Sequence, residues 1–201
     1  VHLSPDAPAV DVFVNGGMEP AISALPFGQA TEYLEVPSAG YDFAVSATGS
    51  TAAEAVLNID GLILRPDADY IAVAYDELAS IRALALMDDQ SEVTDGTIRV
   101  RAVHAAAGVG EVDIWNITPG ADPSALYTDV GFGVAGTFLD IPAAAYTLGF
   151  DVDNDAMPDL SFGLPVLETG TIATLFAVNA DGVALMALLD GTELVRFDPA
   201  E

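Results

Sequence analysis

The sequence contains no cysteine, which excludes disulfide bonds and thiolate metal sites. It also contains no lysine, and 5 basic residues stand against 31 acidic ones, giving a formal net charge of −26. A surface this acidic repels nucleic acid and anionic membranes. It is typical of proteins from salty, halophilic settings, where molar salt shortens the screening length to about 3 Å. A well-solvated acidic exterior explains the charge without any specific acidic function.

Long hydrophobic runs are also missing, because no apolar stretch reaches the 18 residues that a transmembrane helix needs. We therefore expect no direct membrane insertion. The chain begins at Val1 rather than at a methionine, which favours an exported protein that has lost a signal peptide. A shortened chain would begin in the same way. The predicted location is extracellular or at the cell surface.

The feature that organises the sequence is an internal similarity between its beginning and its middle. Val1-His2 is followed by Val10-Asp11-Val12-Phe13, and Val103-His104 is followed after the same gap by Val112-Asp113-Ile114-Trp115. The only two histidines of the chain occupy equivalent places. Similarity at this spacing predicts two domains of about 100 residues each, 1–92 and 93–201.

Each half contains short apolar runs that alternate with a period of two and end at Gly, Pro or Asp. Residues 31–37 and 137–142 are predicted strands of this kind, and both end in a proline. About seven such strands per half, without a helical period, indicate an all-β chain of two antiparallel β-sandwich domains.

The string Val-His-x-Ser-Pro-Asp-Ala-Pro-x-Val-Asp-Val-x-Val-Asn-Gly over residues 1–16 closely resembles the start of the family catalogued as domain of unknown function 4397. More loosely, the whole chain resembles two successive copies of this domain. It implies a secreted or surface-attached, immunoglobulin-like β-sandwich of prokaryotes, often repeated in tandem. The family brings no agreed activity, so the resemblance bears on fold and location only.

A short acidic loop gives the sharpest chemical signal. Four acids stand at positions 1, 3, 5 and 9 of the loop: Asp151, Asp153, Asp155 and Asp159. With the backbone carbonyl of Met157 at position 7, this spacing predicts a calcium site resembling those of extracellular modules. The matching turn of the first half, 46–50, has no acid. A solvated acidic turn remains the alternative.

Two histidines and one tryptophan are further candidate site residues. His2 and His104 are predicted to be structural partners of loop carboxylates such as Asp11 and Asp113, because repetition in both halves fits a fold requirement better than two active sites. Trp115 aligns with an apolar residue of the first half, which favours packing over a sugar-binding platform.

Catalytic motifs are missing, and we expect no enzymatic activity. Residues 131–136 match the dinucleotide-binding glycine pattern formally, but a predicted strand follows them where the motif needs a helix. A hydrolase that uses surface carboxylates rests only on the abundance of acids.

The two ends of the chain suggest assembly. Segment 95–102 leads into the second Val-His pair, nothing precedes Val1, and segment 190–197 resembles segment 95–102. The interpretation is strand exchange between subunits. The predicted donor strand is Thr192, Leu194, Val195, Arg196 and Phe197, and the predicted acceptor edge is Val1, His2 and Leu3. The alternatives are a tail that folds back on its own domain and a shortened start.

These observations predict a secreted, non-enzymatic structural or adhesive surface protein that polymerises head to tail into a filament, with itself as partner. The rival hypothesis is a calcium-dependent module that binds surface glycans.

Overall fold

The computed structural model describes residues 1–199, and the chain divides into two compact units, Val1–Asp89 and Gln90–Glu201. Both units are built from β-strands. Two short 3-10 helices of the described chain, Ala52–Glu54 and Leu78–Ser80, lie in the first unit. Within residues 1–199 no helix is long and apolar enough to cross a membrane. The all-β, sandwich-type fold expected from the sequence is confirmed.

The first unit contains a three-stranded sheet in the order β1-β6-β7 and a four-stranded sheet in the order β3-β2-β4-β5. The strands are β1 (His2–Leu3), β2 (Val10–Val14), β3 (Ile22–Leu25), β4 (Gly40–Ala47), β5 (Leu57–Ile63), β6 (Tyr70–Tyr75) and β7 (Arg82–Met87).

The second unit contains a five-stranded sheet in the order β11-β8-β14-β15-β16 and a four-stranded sheet in the order β10-β9-β12-β13. The strands are β8 (Thr97–Ala105), β9 (Val112–Asn116), β10 (Ser124–Val130), β11 (Leu139–Pro142), β12 (Tyr146–Asp151), β13 (Leu160–Leu164), β14 (Ile172–Asn179), β15 (Val183–Leu189) and β16 (Glu193–Phe197).

The core of the second unit lies between its two sheets. Alternate residues of β8, namely Ile98, Val100 and Ala102, are fully buried against residues of the facing sheet such as Leu148 and Phe162. Period-two alternation produces this arrangement because successive side chains of a strand point to opposite faces of the sheet.

Two details differ from the sequence-based expectation. The strand predicted at 31–37 is not formed, whereas its counterpart β11 is, because β11 pairs with the first half of β8 and no described strand lies beside 31–37. The pairs β1–β6 and β8–β14 are parallel, so the sheets are not purely antiparallel.

Candidate functional site

The acidic loop joins β12 to β13 in the second unit. One carboxylate oxygen from each of Asp151, Asp153 and Asp159 lies within 4.8 Å of the others, close enough for one metal ion to bind all three. Oxygen ligands of this kind suit a hard divalent cation. The carboxylate of Asp155 is not part of this group; it accepts a hydrogen bond from the Met157 backbone N–H at 2.8 Å. The Met157 side chain is largely exposed.

Asp151 is the buried member of the group and stabilises the loop through its hydrogen bonds. It is fully buried, and its two carboxylate oxygens accept hydrogen bonds from the backbone N–H groups of Asn154 and Ala156, both at 2.8 Å. Asp159 closes the other end by accepting from the Val152 N–H at 2.9 Å. These bonds fix two of the three carboxylates before any cation arrives.

Asp153 is the exposed member of the group. Repulsion from the carboxylate of Asp155 raises its pKa, and partial desolvation and the charges of Asp159 and Asp151 add to the rise. A bound cation would relieve this repulsion, because an opposite charge nearby favours the ionised carboxylate.

The strand register shows how the second unit makes room for this loop. Asp113 of β9 pairs with Asp151, and Trp115 pairs with Gly149. A Cβ atom on Gly149 would come within 2.7 Å of the Pro158 side chain, so the glycine lets the loop fold down onto the sheet. The corresponding residue of the first unit is Ala44, opposite Phe13, and there residues 48–56 join β4 to β5 through the 3-10 helix Ala52–Glu54.

In both units a histidine holds the loop that follows it. His2 Nε2 lies 3.1 Å from the Pro8 carbonyl oxygen, and His104 Nε2 lies 2.8 Å from that of Gly110. Each Nδ1 accepts a backbone N–H two residues on, at 3.3 Å in both cases. Both rings are buried, and burial lowers the pKa of each imidazole. A neutral ring that donates from Nε2 fits these contacts.

The histidine partners are therefore loop carbonyls, and the expectation of carboxylate partners was wrong. Asp11 instead accepts from the Ala24 N–H at 2.7 Å and the Gly49 N–H at 2.9 Å, and these backbone bonds lower its pKa. Asp113 accepts from the Asp129 N–H at 2.7 Å. All four side chains fix loops of the fold.

The predicted donor strand lies within its own unit. β16 pairs with β15 along its whole length, with Val195 opposite Ala187 and Leu194 opposite Leu188. Phe197 packs against the core of the second unit. The structure thus has the arrangement in which the tail folds back, and release of β16 for exchange stays a prediction.

The predicted acceptor residues also have neighbours. Val1 N donates to the Ala72 carbonyl oxygen at 2.7 Å, and His2 and Leu3 pair with Ala74 and Tyr75 of β6. The other end of β6 pairs with β7, where Tyr70 lies opposite Met87 and Ile71 opposite Leu86.

The pairing of β1 resembles that of one end of β8. His2 and Leu3 run parallel to Ala74 and Tyr75, as His104 and Ala105 run parallel to Ala177 and Val178 of β14. The first half of β8 lies between β14 and β11. Val100 is opposite Leu139, Arg99 opposite Asp140 and Ile98 opposite Ile141.

The segment before β4 shares one contact with the segment before β12. The Tyr41 hydroxyl donates to the Pro37 carbonyl oxygen at 2.8 Å, as the Tyr146 hydroxyl donates to that of Pro142 at 2.7 Å. Counted back from these prolines, Leu34, Glu35 and Val36 correspond in sequence to Leu139, Asp140 and Ile141 of β11. Leu34 is 56% exposed and Val36 is 49% exposed, whereas Leu139 and Ile141 are half-buried.

Sequence reasoning overlooked that Leu34 and Val36 are exposed where their counterparts are half-buried. The signal that pointed to them was the match of residues 31–37 to 137–142, including the terminal proline. The register of β8 with β11 gives that match its meaning, and register is not readable from the sequence.

The family described as "Domain of unknown function (DUF4397)" matches residues 1–115. A solved structure titled "Alpha-glucan binding by a streptococcal virulence factor" is 14% identical to this chain, with a TM-score of 0.28; the alignment covers 85% of this chain and 86% of that chain. No curated protein matches this chain.

Proposed function

Since the chain belongs to the DUF4397 family, whose description states no activity, we propose a function from its architecture. The chain is a non-enzymatic structural and adhesive protein of the extracellular surface, and it assembles head to tail with further copies of itself. Its two units are tandem copies of one domain.

The observation that carries this proposal is the incomplete edge of the sheet β1-β6-β7: β1 pairs only with Ala74 and Tyr75, so Tyr70 and Ile71 pair with β7 but with no described strand on the β1 side. An exposed sheet edge is a template for pairing with another polypeptide. A contact between the head of one subunit and the tail of the next is heterologous, and it produces a filament wherever the rotation does not close a ring.

Two further features support it. The matching histidine and tyrosine contacts of the two units fit a duplicated domain. The charge of −26 without lysine keeps separate subunits soluble by mutual repulsion and is screened at high salt, where assembly is then favoured.

The test uses a reversible clamp on β16. Ala187 and Val195 are directly opposite in an antiparallel pair, at a separation that a disulfide can span. The Ala187→Cys/Val195→Cys variant, in a chain that has no other cysteine, locks β16 onto β15 when oxidised. We expect concentration-dependent filaments by negative-stain microscopy and light scattering from the unmodified chain and the reduced variant, and none from the oxidised variant.

Assembly of the oxidised variant would contradict strand exchange. An unmodified chain that stays monomeric at every concentration, from low salt to molar salt, would contradict self-assembly itself. Deletion of residues 191–201 is the cruder version of the same test, because it also removes Phe197 from the core.

A second candidate function rests on a separate observation, the three converging carboxylates of the acidic loop. In this proposal the loop binds calcium and presents a surface for glycans. Affinity in the range of extracellular calcium modules, a Kd of about 10⁻⁴–10⁻³ M, is expected.

Calorimetry and thermal shift with calcium test this candidate, with magnesium as the comparison. Asp153→Asn should abolish the calcium response. Asp155→Asn is the matched control: it also reduces repulsion at Asp153, yet it leaves the three converging carboxylates intact. A chain without calcium binding, together with an empty glycan array, would remove this candidate.

A further inference from the structure

We infer that β13 of the second unit is a pairing edge for β13 of a second copy of this chain. The two strands run antiparallel about a two-fold axis at Phe162, which joins two four-stranded sheets into one continuous sheet. The contact is isologous, because each copy uses the same surface. It goes beyond the head-to-tail assembly proposed above and does not require it.

β13 lies at the edge of the sheet β10-β9-β12-β13 and pairs only with β12. Its register is regular throughout, from Leu160 opposite Phe150 to Leu164 opposite Tyr146. Within residues 1–199 no strand lies along its other side. An edge of this kind presents a row of backbone N–H and C=O groups to which another strand can bind.

The other strands that end a sheet in the described chain each have a feature that discourages such pairing. Charged residues, proline, bulges and very short strands all protect sheet edges. β1 has only two residues, and the register of β3 with β2 is irregular. The remaining edge strands contain a charged residue: Asp60 in β5, Arg82 in β7, Asp129 in β10, Asp140 in β11 and Arg196 in β16. β13, with the sequence Leu-Ser-Phe-Gly-Leu, has none of these features.

The corresponding edge strand of the first unit, β5, shows the difference most directly. Both strands begin with a leucine, Leu57 in β5 and Leu160 in β13. Three residues further on, β5 has Asp60 where β13 has Gly163. Asp60 also lies in the stretch where the register of β5 with β4 shifts. The first unit thus has a charge and an irregularity at the place where the second unit has a regular, uncharged edge.

The side chains of β13 suit a two-fold pair. Phe162 and Leu164 belong to the core and are 0% and 2% exposed, so Ser161 and Gly163 point to the opposite face of the sheet. Gly163 is exposed, and a Cβ atom built on it would have no neighbour within 4 Å. In the two-fold register, Gly163 of one copy lies opposite Ser161 of the other, and Phe162 lies opposite Phe162. Core-facing residues therefore meet core-facing residues, as a continuous sheet requires.

Exposed apolar side chains flank β13 at both ends. Met157 precedes the strand and is 67% exposed, and Val166 follows it and is 65% exposed. The two-fold register places position 158 of one copy opposite position 166 of the other, so Val166 of each copy comes beside Met157 of the other. Burial of apolar surface at both ends of the pair favours association. These two side chains meet only if the second strand is another β13, which is why a second copy fits this edge.

Charge also selects this edge for contact between copies. A chain with a net charge of −26 repels a second copy over most of its surface. Pairing of β5 with β5, or of β10 with β10, brings aspartates into the contact, whereas β13 contributes no charged residue to its own pair. The acids nearest to β13 in sequence, Asp159 and Glu168, flank the pair, and salt screens their repulsion. The contact should therefore strengthen from low salt to molar salt.

The experiment measures dimer formation by the full 201-residue chain in analytical ultracentrifugation, from low to molar salt. The oxidised Ala187→Cys/Val195→Cys chain, in which β16 is held, keeps strand exchange out of the measurement and should still form dimers. Gly163→Asp gives β13 the charge that β5 has, and it should weaken the dimer by about tenfold or more, because it brings like charges close across the axis. Asn58→Asp is the matched control: it adds the same charge to the exposed edge strand β5 and should leave the dimer unchanged.

A second variant tests the register without adding charge. In the two-fold pair, position 161 of one copy faces position 163 of the other, at a separation that a disulfide can span. The Ser161→Cys/Gly163→Cys chain should therefore form a covalent dimer on oxidation, seen on a non-reducing gel. Ser161→Cys alone places the two thiols on diagonal positions about 7–8 Å apart and should form none.

Each alternative result decides the matter. A clamped chain that stays monomeric at every salt concentration would overturn the inference. So would a dimer that Gly163→Asp leaves unchanged, or a Ser161→Cys/Gly163→Cys chain that forms no covalent dimer. Dimers through β13 without filaments would retain this contact and contradict only the head-to-tail assembly. Filaments from a chain that forms no such dimer would retain the assembly and contradict the β13 contact.

Discussion

The two units of the chain share their loop-fixing contacts but differ in how completely they close their sheets. In both, a buried histidine binds the loop after it and a tyrosine hydroxyl binds a carbonyl four residues earlier. In the second unit β11 and β16 extend the sheet that contains the histidine to five strands, whereas the corresponding sheet of the first unit has three. Local hydrogen bonds therefore define the fold, and additional strands determine how much apolar surface is covered.

The largest difference is expected in the core. Phe162→Ala removes a completely buried ring and should reduce the free energy of unfolding by about 3–5 kcal/mol. Ile59→Ala, at the corresponding half-buried place of the first unit, should cost about 2 kcal/mol or less. Denaturant unfolding combined with hydrogen exchange of peptides from each unit measures both values. Equal costs would show that the first unit is as well packed as the second.

The histidines allow a test of what the units share. His104→Leu removes the ring that donates to the Gly110 carbonyl oxygen and should cost about 1–3 kcal/mol, because a buried acceptor loses its partner. His2→Leu should cost a similar amount in the first unit.

The dependence of folding stability on pH has a defined sign. Burial lowers the pKa of both imidazoles below the usual 6.5, so the unfolded chain takes up protons first as the pH falls. The histidine contribution is thus complete above about pH 6.5 and is lost as the pH drops through the folded pKa. Between pH 7 and pH 5, the free energy of unfolding should change less with pH for each leucine variant than for the unmodified chain. Identical slopes would mean that the pKa of each ring is the same in the folded and in the unfolded chain.

The acidic loop provides the next contrast. Gly149→Ala places a methyl group against Pro158 and should cost about 1–3 kcal/mol through overpacking, and it should weaken any calcium response although every carboxylate remains. The reverse change at the matching place, Ala44→Gly, should cost about 0.5–1 kcal/mol. Thermal shift with and without calcium distinguishes the two. A Gly149→Ala chain with an unchanged calcium response would show that the loop does not depend on this contact.

The smallest effect is expected from the tyrosine hydroxyls. Tyr146→Phe and Tyr41→Phe each remove one hydrogen bond to a carbonyl and should cost about 1 kcal/mol. Because β8 also holds β11, only Tyr41→Phe should increase amide exchange, and it should do so in residues 34–36. Equal exchange in the two variants would mean that strand pairing contributes little to the order of β11.

Much of the fold follows from alternation in the sequence. The repeated segments Val10-Asp11-Val12 and Val112-Asp113-Ile114, whose apolar residues alternate with a period of two, form β2 and β9. β10 was missed because its register with β9 shifts twice, between Ala125 and Tyr127 and again before Val130, which interrupts that period. Residues 31–37 have strand-like alternation without a strand, since pairing depends on a neighbour.

The candidate sites were only partly predictable for the same reason. Spacing identified the acids that converge, but it also included Asp155, whose carboxylate instead binds a backbone N–H of its own loop. Strand register was not predictable, because it joins residues distant in sequence, such as Arg99 and Asp140.

The Trp115–Gly149 pair gives the molecule a built-in optical probe. Trp115 is the sole tryptophan of the chain, and it lies across from the glycine that supports Pro158 and the acidic loop. Its indole nitrogen is buried and has no hydrogen-bond partner in the described structure. Excitation at the red edge of the absorption band therefore reports on the second unit alone. Emission from an unlabelled chain can follow changes at the acidic loop in real time, while the tyrosines of the first unit remain unexcited.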